Sequence, residues 1–283
     1  MEILVCVKQV PDTAEVKIDP VKHTVIRAGV PNIFNPFDQN ALEAALALKD
    51  ADKDVKITLL SMGPDQAKDV LREGLAMGAD DAYLLSDRKL GGSDTLATGY
   101  ALAQAIKKLA ADKGIEQFDI ILCGKQAIDG DTAQVGPQIA CELGIPQITY
   151  ARDIKVEGDK VTVQQENEEG YIVTEANFPV LITAVKDLNE PRFPTIRGTM
   201  KAKRREIPNL DAAAVAADDA QIGLSGSPTK VRKIFTPPQR SGGLVLKVED
   251  DNEQAIVDQV MENWLPRKSF NLRRNSENGF SRI

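Results

Sequence analysis

Four short apolar runs, each followed by a stretch of helical periodicity, constrain this chain more than any other feature. They are ILVCV (3–7), VKITLLSM (55–62), DAYLLS (81–86) and FDIILCG (118–124). Runs of this length and branching suit strands buried on both faces of a parallel sheet. Helical patterns lie between and after them. Residues 36–51 place Ala41, Leu42, Ala45, Leu46 and Leu48 on one face, with Asp38 expected as the N-cap. Residues 64–79 open on Pro-Asp and reach Gly78; residues 93–114 begin at Ser93 or Asp94 and end at Gly114; residues 131–144 end at Gly144. Strand–helix alternation with short connections predicts an α/β protein with a Rossmann-like, doubly wound, mostly parallel sheet. In such a sheet a ligand lies beyond the carboxyl ends of the strands. The segments that matter are then 8–11, 61–64 and 124–132.

The pattern changes after residue 150. Residues 151–185 alternate apolar and polar positions, with turns at Glu157-Gly158-Asp159 and Glu168-Glu169-Gly170. This predicts antiparallel hairpins added to the sheet. Residues 208–243 are rich in Ala, Asp, Gly, Ser and Pro and read as a connector. A last helix is expected over 251–265, with Ile256, Val257, Val260 and Trp264 on its face, followed by a polar, basic tail over 266–283. The expected organisation is an α/β domain over 1–207, the connector over 208–243, and a C-terminal helix and arm over 244–283.

Composition narrows the function. At 283 residues the chain can bury a sizeable core. A formal charge of −7 gives no support for nucleic-acid binding. No window reaches the roughly 18 apolar residues of a membrane helix, and the first residues read as a strand, so a cytoplasmic chain without membrane insertion is expected. Cys6, Cys123 and Cys141 form no CxxC pattern and His23 is the single histidine, so no metal site is expected. Cys6 and Cys123 read as small apolar residues of buried strands. Acid–base or nucleophilic catalysis by side chains has no matching arrangement, and no catalytic residue is assigned.

The segment LCGKQAIDGDTAQVGPQ (122–138) carries the most chemistry. A buried strand ends at Cys123, a loop follows, and a helix is expected to open near Thr132. Free amides at a helix start, aided by its dipole, suit a phosphate. Thr132 adds a hydroxyl and Gly130 permits close approach. Asp129 and Asp131 would repel a phosphate, and fit better capping the helix or bonding a ribose hydroxyl. The pattern lacks both GxGxxG and the Walker sequence, so a plain loop stays open on these residues alone.

This loop resembles the nucleotide loop of electron-transfer flavoprotein β subunits. VKQVPDT (7–13), NPFDQNALEAAL (35–46), REGLAMGADDAYLL (72–85) and DLNEPRFPTIRGTMKAKRREI (187–207) are similar to further blocks of that family, in the family order. The resemblance runs from the first strand to about residue 245. It implies a Rossmann-like domain holding AMP in ordinary members and a second FAD in the electron-bifurcating branch. Carried over position by position, the cofactor contacts fall on Cys6, Asn35, Pro36, Phe37, Asp38, Met62, Gly124, Lys125, Gln126, Ala127, Ile128, Asp129, Gly130, Asp131, Thr132, Ala133, Gln134 and Val135. GGSDTLATGYAL (91–102) resembles the bifurcating branch and adds Asp94, Thr95 and Thr98, for which simple helix capping is the competing reading. Gly130 and Thr132 stand where many AMP-binding members carry acidic residues, which favours FAD, with AMP as the alternative.

The resemblance also implies partners. Residues 189–206 are similar to a recognition loop that docks acyl-CoA dehydrogenases, with Ile196 as the apolar anchor and Lys201, Lys203 and Arg204 as basic neighbours. Read without it, the segment is an exposed loop with a solvated basic run. The expected complex is a heterodimer with an α subunit. NADH is the expected electron donor, ferredoxin or flavodoxin the low-potential acceptor, and the α-subunit FAD the route to the dehydrogenase. Two other classes share the strand–helix plan. A nucleotide sensor of the universal-stress type would lack the recognition loop. An ATP-activating enzyme would carry a glycine-serine loop where this chain has VKQVPDT.

Overall fold

The computed structural model describes residues 1–12, 31–231, 246–248 and 252–264, with only the backbone of 263–264. Nine strands form one sheet in the order β11-β5-β4-β1-β6-β10-β7-β8-β9. They are β1 (Glu2–Cys6), β4 (Lys56–Met62), β5 (Asp81–Leu85), β6 (Ile120–Gly124), β7 (Gln147–Glu157), β8 (Lys160–Asn167), β9 (Gly170–Asn177), β10 (Val180–Ala184) and β11 (Asn209–Leu210). From β11 to β7 every pairing is parallel; β8 and β9 continue the sheet antiparallel. A separate antiparallel pair joins β2 (Gln9–Pro11) to β3 (Asn32–Phe34). The mostly parallel α/β sheet with added hairpins is the architecture expected from the pattern.

Alternation along the central strands makes two cores. Ile3, Val5, Ile57, Leu59, Ile120 and Leu122 face α1 (Pro36–Ala51) and α2 (Lys68–Met77). Leu4, Leu60, Ile121 and Cys123 face α3 (Thr95–Lys113) and α4 (Val135–Leu143). Side chains alternate with period two along a strand, so apolar runs without polar interruption need helices on both sides. Each buried Leu or Ile contributes about 1.5–3 kcal/mol.

Four local expectations are corrected. Asp38 is not the cap of α1: the helix begins at Pro36 with Asn35 in the cap position, because Pro is favoured at the first helical residue. Residues 131–134 precede α4, whose cap is Gln134; Asp131 and Ala133 hold φ of 50° and 53° and cannot continue a right-handed helix. Residues 196–203 are a helix, α5 (Ile196–Lys203), and not a loop; the Thr195 hydroxyl accepts from the Gly198 amide and caps it. Residues 209–227 are not a loose connector. Leu210, Ala212, Val215 and Ile222 are buried beside α3, and β11 pairs with β5.

Residues 1–235 form one compact unit and residues 236–283 a second. In the second, α6 (Glu253–Trp264) is a helix on which Val257, Val260 and Met261 are exposed and Ile256 is half-buried. The tail 266–283 lies outside the described residues, as does the side chain of Trp264. No helix among the described residues is long and apolar enough to cross a membrane.

Candidate nucleotide and docking sites

Chain order and sheet order together locate a crevice. β1 is flanked by β4, next in the parallel succession, and by β6, which the chain reaches only after β5 and α3. Successive connections therefore leave β1 in opposite directions, and the ends of β1 and β6 bound a topological switch point. The turn at Lys8 follows β1, and the loop 125–134 follows β6.

The first turn of α1 builds the wall of this crevice. Asn35 is buried, its Nδ2 donates to the Gln126 carbonyl at 2.9 Å, and its Oδ1 accepts from the Ile128 amide at 3.2 Å. Asp38 is also buried; it accepts from the Lys8 amide at 2.8 Å and from the Gly124 amide at 3.1 Å. Burial outweighs these bonds and pushes the Asp38 carboxyl up to about 7. A Cβ on Gly124 would lie 2.3 Å from Asp38 Oδ1 and 2.6 Å from Phe37 Cβ, so only glycine lets the strand end meet the helix here.

The acidic loop residues are held within the chain, Asp129 by a cation and Asp131 by a neutral amide. Asp129 accepts from Lys8 Nζ at 2.7 and 2.9 Å, and Asp131 accepts from Gln126 Nε2 at 2.8 Å. Neither caps α4, contrary to one of the two expectations for them. A Cβ on Gly130 would meet nothing within 4 Å. The Gly130 and Asp131 amides bond back to the Ala127 carbonyl. The amides of residues 132–136 find no acceptor among the described residues. Such amides beside a helix start, with the Asp129 carboxylate paired to Lys8, fit an anionic group. Cys6 and Met62 are half-buried at their strand ends. Its hydrogen bond to Cys6, then burial, push the Cys123 thiol up, which keeps it inert.

The three residues at the start of α3 divide. Asp94 caps the helix through the Ala97 amide at 3.1 Å and holds the Thr229 amide at 2.9 Å, so both oxygens are engaged within the chain. Burial opposes its charge, but those amides prevail and hold the carboxyl low. Thr95 Oγ1 donates to Gln134 Oε1 at 3.1 Å, which brings it to the mouth of the loop. Thr98 is half-buried, and its amide bonds to the Asp94 carbonyl.

The second site rises from the flank of α1. Asn40 Nδ2 donates to the carbonyls of Lys186 and Asn189 at 3.2 and 2.7 Å, and the Asn189 amide donates back to the Asn40 carbonyl at 3.0 Å. Arg192 grips Glu43 and reaches Asp50 at 2.8 Å. The chain then enters α5, where a Cβ on Gly198 would lie 2.2 Å from the Ala76 carbonyl oxygen of α2. Phe193, Ile196 and Met200 are 91%, 84% and 57% exposed. Lys201, Lys203 and Arg204 are exposed and have no ion pair among the described residues. Sequence reasoning found Ile196 but missed Phe193, Met200 and the Glu43–Arg192 anchor; an acidic residue inside the apolar helix pattern of 36–51 was the available signal.

Fold and crevice define a Rossmann-like α/β protein with an amide-lined switch point and, on α5, a basic and apolar exposed surface. Comparison with known proteins agrees. The family described as electron transfer flavoprotein domain matches residues 22–215. The chain is 98% identical over 268 residues to the electron transfer flavoprotein subunit beta of Megasphaera elsdenii, covering 95% of this chain and 99% of that protein. It is 50% identical over 264 residues to the caffeyl-CoA reductase-Etf complex subunit CarD of Acetobacterium woodii, covering 93% and 98%. It is 46% identical over 269 residues to the acryloyl-CoA reductase electron transfer subunit gamma of Anaerotignum propionicum, again covering 93% and 98%. The chain belongs to the electron transfer flavoprotein family, on its β-subunit side. A β subunit of this kind implies an α subunit as partner.

Proposed function

We propose that the chain is the β subunit of a heterodimeric, electron-bifurcating electron transfer flavoprotein that holds FAD at the switch point and takes electrons from NADH. One electron passes to ferredoxin or flavodoxin and the other, through the α-subunit FAD, to an acyl-CoA dehydrogenase in the cytoplasm. The observation that carries this reading is the run of open amides at 132–136 beside the Lys8–Asp129 ion pair, in a chain similar to subunits named for acyl-CoA reductase complexes.

When bound, FAD supplies the redox chemistry. The chain's own groups bind and orient. Asn35 fixes the backbone on either side of Ala127. Lys8 removes the charge of Asp129 from the path of an incoming diphosphate. The amides near Thr132, with its hydroxyl, take the anionic bridge, and Thr95 with Gln134 closes the side toward α3. Gly130 leaves the approach clear. Of the family positions at the start of α3, Asp94 acts as the cap and tie of residue 229.

At the other site Ile196 is the dehydrogenase anchor. Lys201, Lys203 and Arg204 steer an acidic partner surface toward it. The C-terminal helix and tail form the arm that reaches the α subunit.

The test is to co-express the two subunits and count flavins per heterodimer, with AMP assayed in the same extract. Two FAD and no AMP supports the reading. One FAD with AMP replaces bifurcation by a structural AMP role within the same family, and a nucleotide-free complex removes the switch-point site altogether.

A further inference from the structure

The two turns that bound the crevice come from strands that are not consecutive in the chain, and nothing in the sheet itself fixes the gap between them beyond the strand ends. β1 pairs with β6 from Ile3↔Ile120 to Val5↔Leu122. The ladder between the two strands ends there, before Lys8 and Gly124. One side chain reaches both. Asp38 Oδ2 accepts the Lys8 amide at 2.8 Å and Oδ1 accepts the Gly124 amide at 3.1 Å. Its neighbour on the same turn, Asn35, donates to the Gln126 carbonyl and accepts from the Ile128 amide.

We propose that Asp38 is a positioning residue for the anionic ligand: its carboxylate spans the turns after β1 and β6, sets their separation, and so aims the amides that follow Gly124. This rests on the nucleotide reading above and changes the part played by Asp38 in it. The carboxylate is spent on two amides of the chain, so it acts through the loops and not by touching the ligand.

Chemistry gives the role a signature. An ionised carboxylate accepts at both oxygens, whereas a carboxylic acid carries a proton on one of them and can satisfy only one of the two amides well. Protonation therefore weakens the hold on one of the turns; at Lys8 the remaining tie is the Asn35 amide bonding to the Lys8 carbonyl at 3.0 Å. Burial brings that event near neutral pH. The charged and titratable groups facing Asp38 are few. Lys8 approaches from the turn after β1, with its charge taken up by Asp129. Cys123 approaches from β6 with its thiol bonded to Cys6, and burial and that bond keep it neutral. The FAD diphosphate has no group that titrates near neutrality, so a step there belongs to the protein.

Stability and ligand affinity move in opposite directions under this scheme. Protonating a buried carboxyl relieves its desolvation and favours the fold as pH falls. The same proton loosens the ligand loops. A residue that merely supported the fold would make both trends follow stability.

The experiment uses the heterodimer of the full chain with its α subunit and FAD as the probe. The affinity for the second flavin and the thermal midpoint are both read at several values from about pH 8 to about pH 6, for wild type, Asp38→Asn and Gly124→Ala. The amide of Asn offers one acceptor oxygen, and a Cβ at Gly124 displaces Asp38 Oδ1. Wild type is expected to lose affinity about tenfold toward the acid end, the worth of one hydrogen bond to a charged group, while its midpoint rises or holds. Asp38→Asn is expected to bind about tenfold more weakly at the alkaline end, with no pH step. Gly124→Ala is expected to weaken binding likewise. Should Asp38→Asn not fold, the wild-type series decides: an affinity that is flat with pH, or that tracks the midpoint, overturns the proposal. A second flavin held equally by wild type and Asp38→Asn overturns it while leaving the nucleotide reading intact. A wild-type complex with no second flavin at any pH overturns the FAD reading and this proposal with it.

Discussion

Arg192 grips Glu43 with two of its nitrogens, Nε at 2.9 Å and an Nη at 2.8 Å, and its main-chain amide donates to the same carboxylate at 3.0 Å. The pair joins α1 to the segment that leads into α5. Glu43 is almost enclosed and Arg192 is about a third open to water. Glu43→Gln leaves the guanidinium with a neutral acceptor and is expected to cost about 1–3 kcal/mol after allowance for solvent at Arg192. Urea unfolding of the heterodimer measures it, and an unchanged midpoint would show that the clasp carries no energy.

Gly198 sits where α5 crosses α2. A methyl group there would lie 2.2 Å from the Ala76 carbonyl oxygen, a backbone atom that cannot swing aside. Gly198→Ala is expected to lower stability by about 1–3 kcal/mol and to shift α5 outward. Thermal unfolding reads the first effect, and dehydrogenase coupling, which should weaken, reads the second.

Phe193 and Ile196 stand almost fully in solvent. Truncating either to Ala should change stability by no more than about 0.5 kcal/mol. If Ile196 is the anchor, Ile196→Ala should weaken dehydrogenase coupling by about 1 kcal/mol or more with bound nucleotide unchanged. Loss of the nucleotide in this variant would mean that the docking assignment is wrong.

The pH dependence of the fold contains one unusual contribution. Burial raises the Asp38 carboxyl from 3.8 to about 7 in the folded chain. Between those values the folded state holds a proton that the unfolded state has released, so this group's contribution to stability is fully present below 3.8 and declines as pH rises toward 7. The decline is of order 4 kcal/mol. Asp50 runs the other way, held low by Arg192 and then Lys53, and loses its contribution as acid protonates it. In Asp38→Asn the loss between about pH 4 and pH 7 should shrink in denaturant titrations at fixed pH; an unchanged slope would refute the assignment.

The central strands were legible because both of their faces are apolar, and a pattern without polar interruption admits few alternatives. The hairpins were legible from alternation and from glycines at the turns. What the residues hid was local geometry. β2 and β3 have three residues each, too short for a period to show. α5 contains Gly198 and Thr199, weak helix formers, and holds by its Thr195 cap and its packing on α2. The start of α4 was placed at Thr132 because acidic and hydroxyl residues mimic a cap, whereas Asp131 and Ala133 turn left-handed and delay it. Asp38 looked like a cap for the same reason. Its actual use depends on Lys8 and Gly124, thirty and eighty-six positions away, and no local pattern encodes such partners.

A single rod, α1, touches both candidate sites: its opening turn braces the 124–128 loop, and its side, eight residues on from Asn35 at Glu43, clasps the approach to Ile196. At 1.5 Å per residue these grips lie about 12 Å apart along the axis. In the proposed function, cargo and visitor share one yardstick, and the surface of α5 could be rewritten for a different visitor without moving the mark at which the cargo is held.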